Sequence, residues 1–314
     1  MSIREIPSSI EPRCLKADKM KVLLAIDSSR SSQDVVNIVA THPWPAGTAF
    51  CVLSVVDMNH CEGLPALIED ATHQAESLVK SALDKLIPSG YETTSKVQQG
   101  FPKLVIPEYA KQWGADLIVI GSHGHNALSR FLLGRVAQTV LRTSPCSVAI
   151  IRPNAADPQH SHALKILVAT DGSIGAAKAV YSVANRPWPK DSQVRIISVA
   201  QLTNPEVLGI GFPLISEYPA NLLDLAWKEG RIRAKAAVSD ARKILAAAGL
   251  QIEDDKKIPE GDARSIILDD AKEWGADLIV LGCYGTHSFD RLLMGSVSEA
   301  VALHAHCSVE VVRG

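Results

Sequence analysis

Two stretches of this sequence place glycines where a phosphate group could sit against bare backbone. Gly282-Cys-Tyr-Gly285 is followed, after nine residues, by Gly295-Ser296-Val297. Glycine at a strand end lets the chain turn and lets a ligand approach without a Cβ in the way. The third glycine and its serine stand just before Val297-Ser-Glu-Ala-Val, where a helix is expected to begin. Backbone N–H groups and the positive end of the helix dipole suit phosphate oxygens there, and the Ser296 hydroxyl adds a donor. Gly121, Gly124 and Gly134 repeat the spacing, but Arg135 replaces the serine. Arg135 either pairs with phosphate through its guanidinium fork, or fills the phosphate space or projects to solvent. Loss of one hydroxyl donor costs only about 1 kcal/mol, so the replacement alone does not abolish binding.

Other chemistry is thinly represented. Asp27 and Asp171 each end a short apolar run and could help hold Mg²⁺ beside a bound phosphate, but a second acid at suitable spacing is not evident. No GxxxxGK[ST], DFG or GxSxG pattern occurs. His123 and His125 suggest acid–base work, yet the second copy has Tyr284 and Thr286 there, so the copies share no such group. Arg130 and Arg291 occupy equivalent places within the nine-residue spacers, suited to a phosphate, a partner chain or an exposed ion pair. Of six cysteines, Cys146 and Cys307 are repeat equivalents leading β-branched runs, which reads as a pair of buried, reduced strand cysteines. Cys14, Cys51, Cys61 and Cys283 have no CxxC partner, and His60-Cys61 with His160 and His162 is too sparse for a zinc site.

The elements that position the glycines are written twice. Ala110-Lys-Gln-Trp-Gly-Ala-Asp-Leu-Ile-Val-Ile-Gly121 returns as Ala271-Lys-Glu-Trp-Gly-Ala-Asp-Leu-Ile-Val-Leu-Gly282, with ten of twelve positions identical. Lys21–Asp27 matches Lys165–Asp171, Pro43-Trp44-Pro45 matches Pro187-Trp188-Pro189, and Cys51–Val56 matches Arg195–Ala200. Long amphipathic helices are expected near 65–87 and 220–248. A third strand then leads to Gly100 or Gly261, a helix to Trp113 or Trp274, and a fourth strand to Gly121 or Gly282. Fifth strands close the halves at 147–152 and 308–313. Continuous apolar strands alternating with helices indicate a parallel sheet covered on both faces. The fold class is α/β, with two tandem five-stranded parallel doubly wound, Rossmann-like domains at 20–152 and 164–314. Residues 1–19 read as a tail and 153–163 as a linker. An insert lies near 201–225, either a packed loop or a lid; its Gly209-Ile-Gly211 is not a dinucleotide fingerprint.

The 314 residues suit about two domains. A net charge of −2 without a long basic block favours neither nucleic acid nor an anionic membrane as partner. No apolar run approaches a membrane span, and the N-terminus lacks a signal-peptide stretch, so the cytoplasm is the expected location.

The Gly, two residues, Gly, nine residues, Gly-Ser pattern of Gly282, Gly285, Gly295 and Ser296, inside a complete α/β unit, resembles the universal stress protein family. The resemblance covers both halves. It implies ATP or another adenine nucleotide as ligand, with Mg²⁺ reached through Asp171. Adenine would lie against the backbone of Val199, and ribose and phosphates near Ala169, Thr170 and Asp171. The phosphates would run along Leu281, Gly282 and Gly285, then Gly295, Ser296 and Val297. The first-half equivalents are Ala25, Ile26, Asp27, Val55, Ile120, Gly121, Gly124, Gly134, Arg135 and Val136, where a weaker site is expected. The function implied is a nucleotide-binding regulatory stress-response module without a catalytic residue. The alternatives are a slow ATPase or phosphotransfer enzyme using the same pocket, and a dimerisation or interaction module without nucleotide. The resemblance also implies an intrachain pseudo-dimer in which Ser147–Arg152 and Ser308–Arg313 pair edge to edge. It leaves open a further homodimer and names no protein partner.

Overall fold

Each half alternates strand and helix in the expected order. In the first half these are β1 (Lys21–Ile26), α1 (Arg30–Thr41), β2 (Ala49–Asp57), the one-turn α2 (Met58–Cys61), α3 (Pro65–Leu86), β3 (Glu92–Gly100), α4 (Pro102–Trp113), β4 (Leu117–Gly121), α5 (Arg135–Thr143) and β5 (Ser147–Ile151). The second half runs β6 (Lys165–Ala169), α6 (Ile174–Ala184), β7 (Gln193–Ile197), α7 (Ala220–Ala247), β8 (Gln251–Glu253), α8 (Ala263–Trp274), β9 (Leu278–Gly282), α9 (Ser296–His304) and β10 (Ser308–Val312). This computed structural model describes residues 19–61, 64–123, 133–152, 163–202, 220–253, 258–285 and 294–314. The tail, Cys14, the linker with His160 and His162, most of the insert with Gly209-Ile-Gly211, and Gly124, His125, Arg130, Thr286 and Arg291 lie outside them.

The ten strands form one sheet, ordered β3-β2-β1-β4-β5-β10-β9-β6-β7-β8. Pairing is parallel within each half and antiparallel only at the seam, where Val309 faces Ile150, Glu310 faces Ala149 and Val311 faces Val148. The chain thus builds a pseudo-dimer from its own halves and removes two sheet edges. Strands such as β4, β5 and β10 are buried along their whole length, which explains why they read as continuous apolar runs. On the face of α4, α5, α8 and α9 a single apolar core crosses the seam, joining Ile118, Val148 and Ile150 to Ile279, Val309 and Val311. On the opposite face the cores of the two halves remain separate, that of the first around Phe50 and Trp44, that of the second around Val194 and Leu245.

The near-identical twelve-residue repeat is a structural device. Gly114 and Gly275 end α4 and α8 in the left-handed conformation, at φ 73° and 72°. Asp116 then accepts from the Lys21 backbone N–H at 2.8 Å, and Asp277 from that of Lys165 at 2.9 Å, fixing where β1 and β6 begin. The Nζ atoms of Lys21 and Lys165 donate to the Trp113 and Trp274 carbonyls, each at 3.1 Å, and lie over those rings. The tryptophan, glycine and aspartate of Trp-Gly-Ala-Asp therefore each have a task in the strand–helix joint.

Two buried arginines bind the halves reciprocally. Arg152, after β5, donates from Nη2 to the Ala302 carbonyl at the end of α9 at 2.7 Å. Arg313, after β10, donates to the Leu141 and Arg142 carbonyls at the end of α5, at 2.8 and 3.2 Å. Each half thus supplies the cation that satisfies the other half's last helix. Burial lowers the Arg152 guanidinium to about 10, which leaves it charged at neutral pH.

None of the five described cysteines is in a disulfide. Each of the pair stands one residue before its strand rather than within it; Cys307 is buried as expected, whereas Cys146 is half-buried. Desolvation pushes the Cys307 thiol up to about 12. At about pH 8, Cys146 is expected to react with a thiol reagent on the native protein, and Cys307 only on unfolding. Peptide mass spectrometry after timed labelling checks this; equal rates would refute it.

Candidate functional site

In the second half the expected site residues come together. The ends of β6, β7 and β9 and the starts of α6, α8 and α9 enclose a cavity of about 320 Å³. Ala169, Thr170, Asp171, Val199, Leu281, Gly282, Gly285, Gly295, Ser296 and Val297 all line it. The cavity lies outside the carboxyl ends of parallel strands, where doubly wound sheets open between diverging crossovers.

Local bonding explains the shape. The Thr170 N–H donates to the Ile197 carbonyl at 2.9 Å, and Gly172 turns the chain at φ 75° so that Ser173 can cap α6 through the Ala176 N–H. The Ser173 N–H donates to Asp171 Oδ1 at 2.9 Å. Beyond β9, the Gly295 N–H donates to the Cys283 carbonyl at 2.8 Å and Ser298 Oγ to the Gly282 carbonyl at 2.6 Å, closing the loop onto α9. Gly295 is the N-cap of α9, and no side chain caps that helix. Its first-turn N–H groups therefore open onto the cavity as a site for anionic oxygens. Space requires glycine at 282, where a Cβ would lie 2.5 Å from the Gly175 carbonyl oxygen; at 285 a Cβ would lie 2.9 Å from Asp171 Oδ2 and displace that carboxylate.

Sequence reasoning missed the side contributed by α8. Asp262 caps that helix through the Ser265 N–H at 3.3 Å, and Arg264 Nε donates to Asp262 Oδ1 at 2.9 Å. The Arg264 hydrogen bond holds the Asp262 carboxyl below the usual carboxylate range. Asp262 and Arg264 both line the cavity, as do Ala176, Tyr284 and Ser298. Gly261 before an acid and a helical run was the available signal. Val199 stands two residues beyond β7, because the neighbouring β8 is only three residues long. Pairing resumes at one bridge, Ala200 with Glu260.

The first half keeps the frame and changes the polar contents. The Gly134 N–H donates to the Ser122 carbonyl at 2.8 Å, repeating the loop closure, and α5 likewise starts without a side-chain cap. Arg135 is exposed at the first position of α5, so it does not occupy a buried phosphate space. The larger difference is at Asp27. Its Oδ1 accepts from Ser32 Oγ at 2.7 Å, from the Ser29 N–H at 3.0 Å and from Ser29 Oγ, which turns the carboxylate onto the start of α1. The second half has Ala176 at the Ser32 position and so offers Asp171 no matching hydroxyl. Ala25, Ile26 and Ile120 are buried, and Val55 packs against the core. Val136 is half-buried beside Arg135.

Metal ligands do not cluster: among the described residues no group of three or more His, Cys, Asp or Glu is arranged to hold an ion. Nor, among them, is any helix long and apolar enough to cross a membrane.

Comparison with known proteins returns one family. The model of the universal stress protein family matches residues 20–152 and again 163–313. A universal stress protein of Mycobacterium tuberculosis is 30% identical over 213 residues, covering 63% of this chain and 62% of that protein. The chain thus spans somewhat less than two thirds of that relative. A family relative in Staphylococcus epidermidis is 27% identical over 153 residues, 44% of this chain and 92% of its own length. The solved structure of a universal stress protein from Archaeoglobus fulgidus has the same fold, with a TM-score of 0.64 at 21% identity over 95% of this chain and 98% of that one.

Proposed function

This chain belongs to the universal stress protein family, in two copies, and from that premise we propose that its second half binds an adenine nucleotide. ATP is the expected form, and binding rather than turnover is the expected action, as a regulatory module of a stress response. The observation that carries the reading is the convergence of all ten expected residues on one cavity beneath the uncapped start of α9. In this reading adenine lies against the backbone at Val199, and the ribose near Ala169, Thr170 and Asp171. The phosphates take the N–H groups of Gly285, Ser296 and Val297, with the Ser296 hydroxyl adding a donor. Bound Mg²⁺ would draw most of its ligands from phosphate and water, with Asp171 as the protein's carboxylate. The first half binds more weakly because Asp27 also accepts from Ser32 Oγ, where the second half has Ala176.

Mass spectrometry of ligand released from purified protein, followed by calorimetry with ATP, tests the proposal. The expected stoichiometry is one tight site per chain. Ala176→Ser places a hydroxyl where Ser32 stands in the first half. It is expected to draw Asp171 onto α6 and weaken ATP binding about fivefold, the equivalent of roughly 1 kcal/mol. Two equal sites, or no binding at all, would sink the reading.

A further inference from the structure

On the sheet face covered by α1 and α6 the two halves meet in unlike ways. The second half carries Ser182, Arg186 and Glu310 where the first carries Ile38, His42 and Ala149. Glu310 and Ala149 are register partners in the β5–β10 ladder, so the two sets lie side by side at the seam. The polar set is satisfied within itself. Arg186 Nη2 donates to both Glu310 oxygens, at 2.9 and 2.8 Å, and Ser182 Oγ donates to Oε1 at 3.2 Å. The apolar set lacks the bulk of a glutamate and part of an arginine, and a cavity of about 80 Å³ lies there.

The cavity wall is largely carbon. Val119, Ala149, Ile151 and Leu164 are its buried floor. Ile38, His42 and Trp188 are its half-buried rim, the His42 ring standing edge-on to Trp44 and Trp188 at 4.9 and 5.3 Å. Its polar lining is already engaged: Arg186 with Glu310, Asp277 with the Lys165 N–H, and Ser308 Oγ with the Arg152 carbonyl.

We propose that this seam cavity is a second binding site, for a small uncharged apolar molecule. A charged guest would lose hydration and find no counter-charge in need of a partner. A carbon-lined cavity stays dry, and one of about 150 Å³ takes benzene or xenon. The guest here must be smaller, or leave part of itself at the rim. Because the rim joins α1 to Trp188 of the other half, occupancy favours the joined arrangement of the halves. The site is separate from the nucleotide cavity and does not depend on the reading given above.

Xenon is the probe, followed on the full chain by methyl carbon NMR. Saturable shifts are expected at Ile38, Val119, Ile151 and Leu164. Ala149→Leu fills the floor and should weaken xenon binding at least about tenfold. Ile38→Trp closes the rim and should do the same, which keeps the test decisive if the first variant folds poorly. Shifts that are absent or strictly linear in xenon, or that persist unchanged in a folded variant, overturn the proposal.

Discussion

Gly282→Ala is expected to weaken ATP binding by the second half about 30-fold or more and to destabilise the fold by about 1–3 kcal/mol. The new Cβ would lie 2.5 Å from the Gly175 carbonyl oxygen and 2.7 Å from the Ala176 nitrogen. Both are backbone atoms at the start of α6, so no side chain can rotate away. Either β9 or α6 must shift, and the loop from Gly282 to Gly285 moves with them. Two or more phosphate donors misplaced at about 1 kcal/mol each lower affinity about 30-fold or more. Gly121→Ala is the control. Its Cβ would meet Ser31, with Oγ nearest, Cβ at 3.1 Å and the backbone carbonyl carbon at 3.3 Å; rotating the hydroxyl relieves the nearest contact, and the rest need only a small shift. Calorimetry and denaturant unfolding on both variants check the contrast. A folded Gly282→Ala protein with wild-type affinity would falsify the assigned site.

Glu310→Ala is expected to cost about 3–5 kcal/mol, because it strands a buried guanidinium. The Arg186 and Glu310 side chains are only 7% and 4% exposed, so little water is at hand to replace the lost partner. The remedy is already written in the first half. Combining Ser182→Ile, Arg186→His and Glu310→Ala reproduces the first half's apolar set and should recover most of the loss, since a buried ionic cluster and a well-packed apolar one are often close in stability. Urea midpoints of the single and triple variants decide it. A triple variant no more stable than Glu310→Ala would mean that the halves differ at the seam for a reason other than polar satisfaction.

The legible parts of the molecule were those written in local code. Trp-Gly-Ala-Asp announced itself by repetition, and its glycine, acid and tryptophan each serve the same joint in both halves. The strands other than the polar edge strands β3 and β8 followed from apolar runs, and the strand pair at the seam from the family resemblance. The unread parts depend on contacts across the fold. Ser32 and Ala176 look like interchangeable small residues until the turn brings position 32 onto Asp27 Oδ1. Asp262 and Arg264 sit on an ordinary helix start, and only the sheet order aims that helix at the cavity. Ala149 and Glu310 differ plainly in sequence, but the consequence appears only in their antiparallel register.

The reciprocal arginines also set a timetable for synthesis. Arg152 and the open side of β5 leave the ribosome about 160 residues ahead of Arg313 and β10. At roughly 5–20 residues per second, the first half waits on the order of ten to thirty seconds before its last strand and the final carbonyls of α5 are satisfied. During that interval the nascent first half presents an adhesive strand to any neighbour, including a first half emerging from the next ribosome on the same message. Spacing of ribosomes, rather than stability of the finished sheet, then governs how often the wrong two halves meet.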